Sequence, residues 1–272
     1  MNKIKLSDLV LISDIDGTLL DRRGNIPPRN IAALERFTAK GGRFAVATGR
    51  ALEFARPVAE KLPVNCPCVL YNGGVIYDFK EEKHLLESFI PDKAKTYIAA
   101  LAESFPDCGA LLVDRMAYYD IYGRARRFFS DAYPNPSIIE ASVDEIQGPC
   151  YKALVLAKPE RMKEIFAAAE RQRFGGVRFV MTNPGLLEML PEDSSKGEAL
   201  RKLTKILGIG RENLVAIGDY YNDLEMLEYA GIGATMRTAP EELKALAQIL
   251  VCDSGDGAVA ELVEWLEEKP WD

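Results

Sequence analysis

Leu9-Val10-Leu11-Ile12-Ser13-Asp14-Ile15-Asp16-Gly17-Thr18 is the stretch from which the fold class follows. Its first four residues are a continuous apolar run with no alternation, the pattern of a strand covered on both faces. Two carboxylates come directly after it. In an open α/β sheet, ligands bind beyond the carboxyl ends of the strands, so Asp14 and Asp16 arrive where chemistry is expected. Asp16-Gly17 also suits a tight turn, and the motif alone leaves that reading open.

Working outward, the spacing of Ile31, Leu34 and Phe37 predicts a helix over 28–40, stopped by Gly41-Gly42. A strand over 44–47, a helix over 51–61 and a strand over 68–71 continue the rhythm of an α/β domain with a parallel sheet. The rhythm returns near the end of the chain. Ser195 opens a helix with the stripe Leu200, Leu203 and Leu207, and Ser195-x-x-Glu198 has capping-box spacing. Strands are predicted at 214–217, 231–235 and 249–251, with helices over 222–229 and from a Thr238–Glu241 capping box to 247. Between them lie alternating runs at 111–114, 117–121, 153–157, 177–181 and 186–190, with helices over 91–104 and 159–173. Some 110 residues exceed any ordinary loop, so a second α+β domain with an antiparallel sheet is expected within the first. The expected division is 1–80 with 191–272 for a doubly wound, mostly parallel α/β core, and 81–190 for the insertion.

Three further segments carry polar groups at the same ends of buried elements. Thr48-Gly49-Arg50 closes the second strand, where a hydroxyl and backbone N–H groups suit a phosphate; a plain strand-to-helix turn fits as well. Lys196 stands at the first helical position after Ser195, a cation beside exposed N–H groups, although most lysines are simply solvated. Gly218-Asp219-Tyr220-Tyr221-Asn222-Asp223 follows the strand at 214–217 and gathers oxygen donors suited to a hard cation such as Mg2+. Capping by Asn222 or Asp223 is compatible with that role. The four segments together, in a consistent order, point to phosphate chemistry where each alone does not.

The composition sets bounds on partners. A net charge of −7 over 272 residues repels nucleic acid, while a small anion remains compatible where a metal and a few cations neutralise it. Cys66, Cys68, Cys108, Cys150 and Cys252 are odd in number and irregular in spacing, which reads as reduced, mostly buried thiols. The apolar run at 9–12 is too short for a signal-peptide core or a membrane span, so no membrane partner and a cytoplasmic location are expected. Nothing in the sequence specifies an oligomeric state.

With these motifs in this order, the sequence resembles the haloacid dehalogenase superfamily, and within it the Cof-type phosphatases with the larger α+β cap. Asp14-Ile15-Asp16-Gly17-Thr18 is similar to motif one, Thr48 to motif two, Lys196 to motif three, and Gly218-Asp219 through Asn222-Asp223 to motif four. Tyr71-Asn72-Gly73-Gly74 is similar to the family's segment leading into the cap. The resemblance implies a Mg2+-dependent phosphatase acting on a small phosphorylated metabolite, a sugar phosphate or a related compound. It implies Asp14 as nucleophile and Asp16 as general acid and base. It implies Thr48, Gly49, Lys196 and Asn222 around the phosphate, and Asp14, Asp16 (through its main-chain carbonyl), Asp219 and Asp223 around the metal. A phosphomutase of the same superfamily and a non-catalytic metabolite-binding regulator stay open. A dehalogenase does not suit these carboxylates, because displacing halide needs neither a leaving-group acid nor a metal.

Two departures stand out. Tyr220 and Tyr221 occupy positions that are small in many relatives, where they would narrow the pocket or stack on a ring. Arg237-Thr238-Ala239 replaces the common Gly-Asn-Ala, and Arg237 is a candidate anion contact. In the insertion, Arg115, Arg124, Arg126, Arg127, Arg178 and Asn183 are candidate leaving-group contacts. For the arginines beside Phe128-Phe129 a solvated face is the simpler reading, and Asn183-Pro184-Gly185 reads first as a turn. The single histidine, His84, reads as structural and excludes a Ser-His-Asp mechanism.

Overall fold

A computed structural model describes residues 5–128 and 138–269. The chain begins with β1 (Val10–Ser13), α1 (Pro28–Ala39), β2 (Arg43–Val46), α2 (Leu52–Ala59), β3 (Cys68–Leu70), β4 (Val75–Asp78) and β5 (Lys83–Glu87). There follow α3 (Lys93–Ser104), β6 (Gly109–Val113), β7 (Tyr118–Asp120), β8 (Ile138–Glu140), β9 (Lys152–Leu156), α4 (Pro159–Gln172), β10 (Val177–Asn183) and β11 (Leu186–Pro191). The chain closes with α5 (Lys196–Leu207), β12 (Leu214–Ile217), α6 (Leu224–Tyr229), β13 (Ile232–Met236), α7 (Glu241–Leu246), β14 (Ile249–Val251) and α8 (Ala258–Glu268). Two compact units result, Met1–Leu86 with Ser195–Asp272, and Glu87–Ser194.

In the first unit a five-stranded sheet has the order β14-β13-β12-β1-β2, with every pair parallel. All residues of β1 and β12 are buried, as the uninterrupted apolar runs require. The cover comes from helices that pack in pairs, α1 with α8 and α5 with α6. Sequence order reverses at β1: β2 lies on one side and β12, β13 and β14 on the other. That reversal opens the crevice where ligands bind in such sheets. The strand at 68–71 departs from the sequence expectation. β3 pairs antiparallel with β4 in a small sheet of order β3-β4-β5 and joins the parallel sheet through a bridge between Ala47 and Val69 rather than as one of its strands. His84 lies on β5, half-buried, its ring edge-on to Tyr77 at 4.9 Å.

The second unit is built on a six-stranded sheet, β10-β11-β9-β6-β7-β8. Its pairs are antiparallel except β7 with β8, which run parallel and correct the expectation of a purely antiparallel sheet. β8 is short and mostly exposed, so its pattern does not register in the sequence. Ile98, Leu101, Met162 and Ile165 from α3 and α4 pack on Ala110, Leu112, Val155, Leu187 and Met189 from the sheet to form its core.

Capping follows the sequence at one helix and not at the other. The Ser195 hydroxyl accepts from the Glu198 N–H at 3.0 Å, while the Glu198 carboxylate pairs with Arg201 instead of completing the box. At α7 the expected Thr238 cap is not formed. The helix starts after Pro240, and the Thr238 hydroxyl bonds Asp253 at 2.5 Å. The Thr238 hydroxyl donates to a carboxylate that the fold brings close. All five cysteines are free, and burial pushes the thiols up, Cys68 to about 12 and Cys66 to about 11.

Candidate active site

β1, β2 and β12 deliver their polar termini to one end of the parallel sheet of the first unit. Asp14 follows β1 directly, and its N–H bonds the Ile217 carbonyl at the end of β12 at 2.9 Å. Thr48 lies just beyond β2 and is buried. Lys196, the first residue of α5, is wholly buried and bridges two carboxylates: its Nζ donates to Asp14 Oδ1 at 2.5 Å and to Asp223 Oδ1 at 2.6 Å. Asp223 also accepts, through Oδ2, the N–H groups of Asp219 (3.0 Å) and Tyr220 (3.2 Å). It therefore ties its own loop and pairs the lysine at once.

Carboxylate oxygens of Asp14, Asp219 and Asp223 lie within 4.8 Å of one another. Two buried acids, Asp14 and Asp223, and the partly buried Asp219 face one ammonium, and burial together with their mutual repulsion shifts their titration. Burial raises Asp14 well above the usual carboxylate range; Lys196 opposes this, and Asp223, Asp219 and Asp16 add to it. Asp219 is pushed up to about 7, first by burial and then by Asp223, against a hydrogen bond from the Thr18 hydroxyl (3.0 Å) and the charge of Lys196. For Lys196, burial alone would lower the ammonium, but Asp14 and Asp223 outweigh it and the net shift is upward. A cluster of hard oxygen donors that resists full ionisation fits a divalent cation.

Asp16 is placed apart from this cluster. Its carboxylate is about half exposed and is gripped by Arg50, Nε to Oδ2 at 2.8 Å and Nη2 to Oδ1 at 2.6 Å. The guanidinium is anchored in turn by Nη1 donating to the Phe54 carbonyl at 3.2 Å. The Thr48 hydroxyl accepts from the Arg50 N–H at 3.1 Å, which leaves its proton for another acceptor. Gly49 lies against the side chain of Asn72, and Asn222 donates to Asn72 Oδ1 at 3.1 Å. The Asp16-Gly17 turn is real, with Gly17 at φ +83°, but it leads out of a parallel strand rather than around a hairpin.

Arg50, Asn72 and Thr18 stand within the motifs that the sequence singles out, but no role in the site was expected of them. Arg50 adjoins Thr48-Gly49, so its position was visible but its partner was not. Asn72 follows a strand of another sheet, and although its segment resembles the one leading into the cap, no local feature shows that it meets Asn222. The departures also resolve. Tyr220 and Tyr221 pack edge-on with ring centres 5.0 Å apart, and the negative charge of Glu242 raises the Tyr221 hydroxyl above its usual pKa. Arg237 pairs with Glu261 at 2.7 Å.

Among the candidates in the second unit, Arg115, Arg124, Arg127 and Asn183 have local partners. Arg115 pairs with Glu87, Arg124 lies over the Tyr122 ring at 4.7 Å, and Arg127 lies over the Phe128 ring at 5.0 Å. Asn183 accepts from the Gly185 N–H at 2.9 Å, the turn that the sequence suggests. Arg178 lies on β10 and Arg126 is exposed; Phe129 falls outside the described residues. No helix among the described residues is long and apolar enough to cross a membrane.

Comparison with known proteins bears on this geometry. The chain is 26% identical to a pyridoxal phosphate phosphatase of Escherichia coli, over 93% of this chain and 97% of that protein. It is 25% identical to a 5-amino-6-(5-phospho-D-ribitylamino)uracil phosphatase of Bacillus subtilis, over 93% of this chain and 96% of the other. Among solved structures, a haloacid dehalogenase-like hydrolase from Bacteroides thetaiotaomicron superposes with a TM-score of 0.82 at 25% identity, over 95% of this chain and 99% of that one. The family model described as haloacid dehalogenase-like hydrolase matches residues 11–263. The chain belongs to the haloacid dehalogenase-like hydrolase family.

Proposed function

We propose that this hydrolase removes the phosphoryl group from small phosphorylated metabolites through an aspartyl phosphate on Asp14. The observation that carries the reading is the Lys196 ammonium held between Asp14 and Asp223 with Asp219 beside them, at the carboxyl ends of β1 and β12. An Asp14 oxygen attacks phosphorus in line, forming the Asp14 O–P bond as the bond to the leaving oxygen breaks. Asp16 gives its proton to the departing alkoxide, then takes one from the water that attacks the aspartyl phosphate, so that inorganic phosphate leaves and Asp14 is restored. Because both Asp16 oxygens are engaged by Arg50, delivering a proton requires one of those bonds to be released.

Thr48, Lys196, the Gly49 N–H and Asn222 would hold the non-reacting phosphoryl oxygens. Asp14, Asp219 and Asp223, with the Asp16 main-chain carbonyl, would hold Mg2+, which when bound neutralises the carboxylates and draws electron density from the phosphoryl group. The substrate class, a sugar phosphate or a comparable monoester, is supported by the kinship with phosphatases named for pyridoxal phosphate and for a ribityl phosphate.

The test is phosphate release from a panel of phosphorylated metabolites, with and without Mg2+, for wild type and Asp14→Asn. Mg2+-dependent release that disappears in the variant is the expected result. Isomerisation of a substrate with a bisphosphate activator and no net release would instead make the protein a mutase.

A further inference from the structure

The turn joining β3 to β4 adopts a backbone that its residues do not favour. Tyr71, Asn72 and Gly73 have φ values of +52°, +52° and +100° in succession. Elsewhere among the described residues, positive φ at a non-glycine occurs only singly, at Glu82 and Arg173. Asparagine tolerates the left-handed region and tyrosine does not, so the turn persists only where its surroundings impose it.

Those surroundings are the loops of the candidate active site. The Thr48 N–H bonds the Val69 carbonyl at 2.9 Å, the Tyr71 N–H bonds the Arg50 carbonyl at 3.1 Å, and the Asn72 N–H bonds the Thr48 carbonyl at 3.0 Å. On another side the turn lies against the cap of α5. A Cβ on Gly73 would come within 2.2 Å of the Ser195 carbonyl oxygen, one residue before Lys196. The buried Asn72 side chain covers the remaining direction: a Cβ on Gly49 would stand 2.7 Å from its Nδ2, and its Oδ1 accepts from Asn222 at 3.1 Å. One turn thus touches the segments carrying Thr48, Lys196 and Asn222.

If this turn needed only conformational freedom, glycine at 72 would serve at lower cost. The asparagine supplies what glycine lacks, an amide that fixes the amide of Asn222. An NH2 group carries two protons, and giving one to Asn72 orients the plane of the Asn222 side chain. We propose that Asn72 is a positioning residue for phosphoryl transfer, setting the orientation of Asn222 and its separation from the Thr48-Gly49 loop. This rests on the phosphatase reading above, and Asn72 acts through Asn222 rather than on the substrate.

The experiment is a double-mutant cycle on the full chain, with p-nitrophenyl phosphate as substrate and inorganic phosphate as competing ligand. Asn72→Gly keeps access to positive φ and removes the amide. It is expected to lower kcat/KM about tenfold and weaken inhibition by phosphate, with a melting temperature near that of wild type. Asn222→Ala is expected to lose a similar factor, and the double variant to be no worse than Asn222→Ala alone. Effects that multiply, or an Asn72→Gly enzyme within twofold of wild type, would overturn the proposal. If Asn72→Gly does not fold, Asn222→Ala decides: wild-type turnover there leaves nothing for Asn72 to position. A wild type that releases no phosphate removes the phosphatase reading, and this proposal with it.

Discussion

Each of the two units buries a lysine among carboxylates, and the two lysines do different things. In the insertion, Lys152 on β9 pairs with Glu188 on β11 at 3.0 Å, both essentially buried, and the Thr182 hydroxyl bonds the other Glu188 oxygen at 3.3 Å. A buried ammonium there lies directly against a buried carboxylate of the neighbouring strand. In the first unit, Lys196 meets Asp14 and Asp223, with Asp219 alongside, so one ammonium faces three acids. Burial costs both clusters their hydration, and the second gathers three carboxylates around its ammonium, the donor set proposed above for Mg2+.

The sharpest way to break the comparison is to remove each lysine's contribution in turn. Lys196→Met is expected to lower phosphate release by about 10³-fold, because the contact to the phosphoryl group proposed above would be lost. The same change should tighten Mg2+ binding, measured by calorimetric titration, since the surplus of negative charge grows. Weaker Mg2+ binding in this variant would mean that Lys196 is needed to assemble the cluster rather than to offset it.

In the insertion, Glu188→Gln removes the carboxylate paired with the buried Lys152 ammonium, and the expected loss is about 3–5 kcal/mol in denaturant unfolding. Replacing both partners, Lys152→Met with Glu188→Leu, should recover most of it. A double variant no better than Glu188→Gln would show that the pair contributes more than charge balance.

The smallest effect is on pH dependence. Asp219 is raised from 3.8 to about 7 in the folded chain, so its stabilising contribution is complete below 3.8 and is lost as pH rises through about 7. Without a divalent cation, the melting temperature should fall by about 5 °C between roughly pH 5 and 8, and added Mg2+ should raise it more at the upper end. Asp219→Asn should flatten the slope, and an unchanged slope in that variant would assign it to another group.

Much of the candidate site was legible because each of its parts follows a buried apolar run. Leu9 to Ile12 announces Asp14, 44–47 announces Thr48, and Leu214 to Ile217 announces Asp219 and Asp223. The helix opening at Ser195 likewise fixes where Lys196 begins. Local periodicity reports which residues are buried, and the parallel sheet converts strand ends into a common edge. The clamp of Arg50 on Asp16 was not legible, because 34 residues separate two groups that meet only when β1 and β2 pair. The bond between Asn72 and Asn222 spans 150 residues and depends on a strained turn that no local preference signals.

The same distinction separates the elements. Thr238 has the spacing of a cap, yet its hydroxyl is taken by Asp253, which the fold brings near. α8 closes the first unit against α1 although no expectation placed a helix there. β8 joins its sheet in parallel through a register that its three residues cannot specify. The sequence by itself determined the order of buried strands and the chemistry at their ends, because burial and side-chain type are properties of short segments. The tertiary structure alone decided which charges meet, which hydroxyls are taken and where negative charge is left over, because electrostatic balance depends on every group within a few ångströms, whatever its place in the chain.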